Sequence, residues 1–247
     1  MCRHLAYLGP PIPLSALLFE PPHGLSHQSW APRDMRGGGT INADGFGVGW
    51  HTPAGPVRYR RATPLWSDTT LPALSATIAA GSVLAAVRSA TAGMPVVETA
   101  AAPFTDGRWL FSHNGVVRGW PDSMTKPAGA LPVADLLTLA APTDSALLWA
   151  LVRDRLRDGV SPAEAVRATV AETERAAPGS RLNLLLTDGT SIIATTAGHA
   201  LSVRHDARGV LASSEPLDDD PAWRAVPDRT LLVADPSGLT LTPLGDA

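Results

Sequence analysis

Leu182-Asn183-Leu184-Leu185-Leu186-Thr187-Asp188-Gly189-Thr190-Ser191-Ile192-Ile193-Ala194-Thr195-Thr196 is the stretch on which the fold turns. Two apolar runs of strand length flank Asp188-Gly189, a pair that favours a tight reversal because both residues tolerate positive φ. The pattern predicts a hairpin, hence antiparallel pairing. Further strands are expected at residues 3–9, 45–50, 57–61, 82–88, 109–112, 201–204, 209–212, 231–234 and 239–241. Thr143-Asp144-Ser145 precedes a run with Leu147, Leu148, Leu151, Val152 and Leu156 on one helical face, stopped by Gly159. Ser161-Pro162-Ala163-Glu164 has the form of a capping box with proline at the first helical position, opening a helix to about Ala176. Shorter helical segments are expected near 14–19 and 71–80. Strands, then helices, then strands joined by hairpins exclude a doubly wound parallel sheet. Two antiparallel sheets covered by the two helices make an α+β chain, a four-layer αββα sandwich.

The chain has 247 residues, 45% of them hydrophobic and 17% charged, enough for one compact domain with a substantial core. A net charge of -3 and the absence of a basic patch argue against nucleic acid as a partner. No apolar run approaches the roughly 20 residues of a membrane span, and no apolar segment follows Met1-Cys2-Arg3-His4 as a secretory signal requires. The expectation is a cytoplasmic, enzyme-sized protein. A single cysteine rules out an intrachain disulfide.

That cysteine is Cys2. It is small enough for an aminopeptidase to remove the preceding methionine, which would make it the first residue of a mature chain, 2–247. A cysteine nucleophile needs a base, and none of the seven histidines falls in an evident Cys-His-Asn arrangement. An N-terminal cysteine carries its own: an α-amino group has an ordinary pKa of about 7.7–8.0, so near neutral pH much of it is free amine. It can take the thiol proton and return it to a leaving amine. Elsewhere, residues 24–45, rich in Gly, Ser, Asn and Asp and centred on Gly37-Gly38-Gly39, are expected to form a long loop. Loops of that length are uncommon unless functional or disordered. The strand that follows carries Gly45, Gly47 and Gly49 at alternate positions, which predicts close approach of another backbone or a ligand.

Met1-Cys2, Asn42-Ala43-Asp44-Gly45-Phe46-Gly47-Val48-Gly49-Trp50, Arg88-Ser89-Ala90-Thr91, His113-Asn114-Gly115 and Thr143-Asp144-Ser145 occur in this order along roughly the first 150 residues. As a set they resemble the class II glutamine amidotransferases, whose fold is the αββα sandwich of N-terminal-nucleophile (Ntn) hydrolases. The resemblance implies hydrolysis of a γ-glutamyl amide through a thioester on Cys2. It implies an oxyanion hole from the Asn114 side chain and the Gly115 N–H. Arg88 would clamp the substrate α-carboxylate and Asp144 the α-ammonium, with Thr91 and His113 also at the substrate. It implies a small-molecule substrate and no cofactor. Each motif also has an ordinary use: Arg88 as a surface arginine, His113-Asn114-Gly115 as a turn, Thr143-Asp144-Ser145 as a helix cap.

Cys2-Arg3-His4-Leu5-Ala6-Tyr7-Leu8-Gly9 and Ser213-Ser214-Glu215-Pro216-Leu217-Asp218-Asp219 resemble the small amidohydrolases of ergothioneine biosynthesis, which release glutamate from γ-glutamyl-hercynylcysteine sulfoxide. A glutaminase subunit feeding ammonia to a separate synthase, and a non-catalytic relative that kept the pocket, are the alternative readings. The trimethylammonium of a hercynyl group calls for aromatic faces. Seven tryptophans against four phenylalanines and two tyrosines supply them, and Trp30 and Trp120 lie beside the segments placed at the site. Asp218-Asp219-Asp220 reads as a solvated acidic loop. No metal site is expected, since Cys2 and His4 alone do not complete a coordination sphere.

Overall fold

The computed structural model describes residues 2–34 and 41–245; Met1 and the Gly37-Gly38-Gly39 centre of the long loop lie outside the described residues. In chain order the strands are β1 (Arg3–Pro13), β2 (Phe46–Thr52), β3 (Gly55–Arg61), β4 (Ala79–Val87), β5 (Phe104–Asp106), β6 (Trp109–Val116), β7 (Arg181–Thr187), β8 (Ile192–Thr196), β9 (Ser202–Asp206), β10 (Gly209–Ser213), β11 (Arg224–Ala225), β12 (Thr230–Asp235) and β13 (Gly238–Pro243). The helices are α1 (Ser15–Leu18), α2 (Leu25–Gln28), α3 (Leu71–Thr77), α4 (Thr125–Gly129), α5 (Val133–Leu137), α6 (Asp144–Arg157) and α7 (Pro162–Ala176). One sheet runs β11-β9-β10-β1-β4-β2-β3 and the other β13-β12-β8-β7-β6-β5. Every strand pairing among the described residues is antiparallel, including the hairpin of β7 and β8. The Asp188 carboxylate closes that hairpin by accepting the N–H groups of Thr190 and Ser191, and Gly189 takes φ +91°.

The layers follow from side-chain alternation. In β1, Leu5 and Tyr7 pack outward with Leu14, Leu17 and Leu25 from α1, α2 and the residue before α1. Ala6 and Leu8 pack inward with Leu110, Leu185 and Ile192 of the facing sheet. In β7, Leu182, Leu184 and Leu186 face α6 and α7 while Leu185 faces the other sheet. The central strands are thus buried on both faces, which is why residues 3–9 alternate poorly in polarity. The expected αββα sandwich with antiparallel sheets is present.

One expectation is corrected. The two long helices do not cover a sheet each: both lie on the second sheet, and the first is covered by α1, α2 and α3. Only a short turn, residues 158–161, joins α6 to α7, so they pack side by side on one face. Their ends are set as the sequence indicates. The Thr143 hydroxyl accepts the Ala146 N–H, the Ser161 hydroxyl accepts the Glu164 N–H, and Gly159 takes φ +80° after α6. Among the described residues no helix is long and apolar enough to cross a membrane.

The alternate glycines of β2 admit neighbouring parts of the chain, backbone at Gly47 and side chains at Gly49. A Cβ at Gly47 would lie 2.2 Å from the Ala102 carbonyl oxygen, and one at Gly49 would lie 2.9 Å from Pro103 and 3.0 Å from Leu110. Gly47→Ala is expected to lower stability by at least about 1–3 kcal/mol, because no rotamer change relieves a clash with a carbonyl. Gly238→Ala, where an added Cβ meets nothing within 4 Å, serves as the control and should change little. Urea-unfolding midpoints of the two variants measure the difference.

Candidate active site

The antiparallel pairing of β1 with β4 sets Arg3 opposite Val87, so Cys2 emerges beside Arg88 and Ser89. Its Sγ lies 3.8 Å from the Ser89 carbonyl oxygen. Cys2, Arg88, Ser112, His113 and Ser145 line a small cavity of about 20 Å³. Adjoining it in the chain, Ser89 and Thr91 line a cleft of about 1040 Å³ together with Gly115, Arg118, Trp120 and Arg181. Residues from both sheets and from the start of α6 therefore meet around the thiol.

The segment Asn42-Ala43-Asp44-Gly45 clasps the end of β4. Arg88 N–H donates to the Gly45 carbonyl at 2.7 Å, Asp44 N–H to the Arg88 carbonyl at 3.0 Å, and Ala90 N–H to the Asp44 carboxylate at 2.8 Å. The Arg88 guanidinium is buried, donates to the carbonyls of Pro95 (2.9 Å) and Asp44 (3.4 Å), and meets no carboxylate among the described residues. A charged fork without a counterion can receive a substrate carboxylate. Asp144, the first residue of α6, accepts the N–H groups of Val117 (3.0 Å) and Ser145 (2.7 Å). Thr143 caps the helix, which leaves Asp144 available as a buried anion at its N-terminal end.

His113, Asn114 and Gly115 are not a turn: β6 runs through them, paired to β7 with Asn114 opposite Asn183. A Cβ at Gly115 would fall 1.8 Å from the Arg181 carbonyl oxygen and 2.5 Å from His113 Nε2, so the site requires glycine. That space holds the His113 Nε2 contact to the Arg181 carbonyl at 3.0 Å, while His113 Nδ1 faces the Ser145 hydroxyl at 3.0 Å. With both ring nitrogens met by the protein, His113 orients the start of α6. Asn114 is buried, its Nδ2 is 3.3 Å from the Ser214 hydroxyl, and its Oδ1 has no partner among the described residues. Turning the amide over would direct Oδ1 to the Ser214 hydroxyl and leave Nδ2 unpaired, the state an oxyanion donor requires. Of the two tryptophans, Trp120 reaches the cleft. Trp30 is half exposed, stacks edge-on against His27 at 4.6 Å, and is not among the residues lining the cleft.

The family model for class II glutamine amidotransferases matches residues 14–207. The chain belongs to the class II glutamine amidotransferases. Among relatives of this family, a γ-glutamyl-hercynylcysteine sulfoxide hydrolase of Mycobacterium tuberculosis is 44% identical over 247 residues, covering 100% of this chain and 98% of that one. One of the same name from Mycolicibacterium smegmatis is 44% identical, covering 99% and 100%. A glutamine aminotransferase class-II domain protein from Silicibacter pomeroyi has a solved structure similar to this one, with a TM-score of 0.69, 25% identity, and coverage of 99% and 100%. The Ntn-hydrolase fold of this amidotransferase family is therefore the fold of this chain.

The sequence reading missed the groups behind Cys2. Arg3, buried, donates to Glu215 at 2.9 Å, to the Cys2 carbonyl at 3.0 Å and to the Asp34 carbonyl. Glu215 also meets His23 at 2.6 Å and accepts the N–H groups of Arg33 (2.8 Å) and Asp34 (3.2 Å). Burial works against its charge, yet the bonds from His23, Arg33, Arg3 and Asp34 hold it at about 2. The one signal in the sequence was its place in Ser213-Ser214-Glu215-Pro216. The acidic run after it is only partly solvated. Asp219 is exposed, but Asp218 accepts the Trp223 indole N–H at 2.7 Å and Asp220 pairs with Arg208 at 2.7 Å.

Two imidazoles near the site are kept neutral. Burial, then the charges of His113, His199 and Arg3, push His4 down to about 3. Burial, then Arg181, Arg3 and His113, push His199 down to about 3. Such groups bind protons in the unfolded chain but not in the folded one between about pH 6.5 and 3. Stability is accordingly expected to fall as pH falls through that window, by about 1.4 kcal/mol per pH unit for each neutral histidine. Glu215, depressed from 4.5, adds to the loss below about pH 4.5. Urea midpoints at pH 7.5, 6, 5 and 4 measure this; a midpoint unchanged from pH 6 to 5 would contradict the neutral imidazoles.

Proposed function

We propose that this chain hydrolyses a γ-glutamyl amide, with residues 2–247 as one catalytic domain and Cys2, freed by removal of Met1, as nucleophile. The observation that carries the reading is the placement of Cys2. The only thiol of the chain stands at the head of β1, in one cavity with Arg88 and His113 and beside the cleft reached by Gly115. Full-length similarity to hydrolases named for γ-glutamyl-hercynylcysteine sulfoxide supports that compound as substrate and ergothioneine biosynthesis as the setting.

The α-amino group of Cys2 takes the thiol proton as Sγ attacks the γ-carbonyl carbon. The oxyanion is met by Asn114 Nδ2 and the Gly115 N–H. Collapse breaks the C–N bond, and the α-ammonium returns the proton to the departing amine. Water, deprotonated by the same α-amine, attacks the thioester carbon; collapse releases glutamate and restores the thiol. Arg88 and Asp144 hold the α-carboxylate and α-ammonium of the glutamyl head, and Thr91 and Trp120 border the cleft that takes the leaving group. No step requires a cofactor.

Cys2→Ala is expected to fold normally and release no glutamate. A tag left in front of Cys2 is expected to do the same, because an amide nitrogen is not a base; full turnover by the tagged enzyme would overturn the mechanism. Asn114→Ala should lower kcat by roughly 10²–10³-fold. Arg88→Lys keeps the charge but loses the fork, so KM should rise. Glutamate release from γ-glutamyl-hercynylcysteine sulfoxide and from glutamine reads all four. Turnover of glutamine alone would assign the chain to ammonia supply instead.

A further inference from the structure

The cleft contains two guanidinium groups that the reaction just described does not use. Arg181 begins β7 and Arg118 lies just after β6, and both line the cleft with Gly115. Neither meets a carboxylate among the described residues. Partial burial, and then the like charge of Arg118, lower the pKa of Arg181. Two cations brought together without a counterion repel one another, and an anionic ligand removes that cost.

Arg181 is also held in place. Its Nε donates to His199 Nε2 at 3.0 Å, which the neutral state of His199 allows. The residue before His199 is Gly198, where a Cβ would lie 2.9 Å from Arg181 Cγ, so the arginine stem rests against bare backbone. Asn183 fixes that loop in turn. Its Nδ2 donates to the carbonyls of His199 (3.0 Å) and Ala200 (3.3 Å), and its Oδ1 accepts from the N–H groups of Ala197 (2.9 Å) and His199 (3.2 Å). All the hydrogen-bonding positions of this buried amide are filled. The result is a pre-oriented fork whose terminal nitrogens have no protein partner among the described residues, one residue along the paired strands from the oxyanion glycine: Gly115 lies opposite Leu182, and Val116 opposite Arg181.

We infer that Arg181, assisted by Arg118, binds a carboxylate on the leaving side of the scissile bond, and so selects γ-glutamyl amides of α-amino acids over glutamine and simple γ-glutamyl alkylamides. The inference rests on the γ-glutamyl hydrolase reading and adds a determinant of specificity to it. Glutamine expels ammonia and an alkylamide expels a neutral amine; neither offers an anion to this fork. A cysteine-derived leaving group carries a carboxylate one carbon from the departing nitrogen. The glutamyl carboxylate is a different group, assigned to Arg88 on the other side of the bond.

The test compares γ-glutamylcysteine with γ-glutamylethylamide, which differ on the leaving side in carboxylate and thiol, and adds γ-glutamylalanine, which keeps the carboxylate without the thiol. Wild-type kcat/KM is expected to favour both carboxylate substrates over the ethylamide by at least tenfold. Arg181→Gln should shrink that ratio by tenfold or more, Arg181→Lys should restore part of it, and the exposed Arg118→Gln should shrink it less. An unchanged ratio in Arg181→Gln, or equal losses on all three substrates, overturns the inference. Binding of the same compounds to the Cys2→Ala protein, with and without Arg181→Gln, reads recognition apart from turnover. A carboxylate preference in binding that vanishes with Arg181 supports the subsite even if the wild type releases no glutamate, the result that would refute the hydrolase reading alone. Equal affinity for the ethylamide and the two carboxylate compounds overturns the subsite even if all three are hydrolysed.

Discussion

The active end of this molecule depends on one buried carboxylate. Glu215 is enclosed and charged, and it gathers the Arg3 guanidinium, the His23 ring and the N–H groups of Arg33 and Asp34. Removing one partner of a buried pair strands the other charge in a poor dielectric, typically at about 3–5 kcal/mol. Arg3 in turn donates to the carbonyl of Cys2, so the charge of Glu215 fixes the backbone that carries the thiol. The first strand, the loop from His23 to Asp34 and the segment after β10 are joined at this point.

The proposed site lies on the seam between two sheets. Cys2 and Arg88 come from the first, Ser112 to Gly115 from the second, and Asp144 from the helix that covers the second. The bare face of β2 lets the segment at Ala102 and Pro103 press close, and the bare edge at Gly115 lets the Arg181 carbonyl do the same. Glycine at both places converts absent side chains into proximity. Around this seam His4 and His199 are neutral, so the fixed positive charge comes from arginines, which do not titrate near neutral pH.

What the sequence made legible was local. The Asp188-Gly189 reversal, the Thr143 and Ser161 caps, the glycine alternation in β2 and the lone thiol at position 2 are all decided within a few residues. The resemblance added Arg88, Asn114 and Asp144; the fold puts Arg88 in one cavity with Cys2, and Asn114 and Asp144 are the chain neighbours of its lining residues His113 and Ser145. What stayed hidden depends on distant pairing. Arg3 and Glu215 are 212 positions apart, and neither residue has a local pattern that signals a buried ion pair. The placement of both long helices on one sheet was hidden too, because amphipathic spacing tells which face is buried and not against what. Trp30 looked equivalent to Trp120 by its position beside a motif, yet only Trp120 faces the cleft.

The position of β1 has a consequence for how the protein is made. It is an interior strand, bonded on one side to β4 and on the other to β10, and its first residues are locked by Glu215. The amino terminus leaves the ribosome first, but its final partners are synthesised about 200 residues later. At about 5–20 residues per second, that interval is on the order of ten to forty seconds. Through that time the end bearing Cys2 lacks the strand and the carboxylate that will enclose it. The proposed use of Cys2 as a free amino terminus would therefore have Met1 leave within that interval, before β10 and Glu215 join β1.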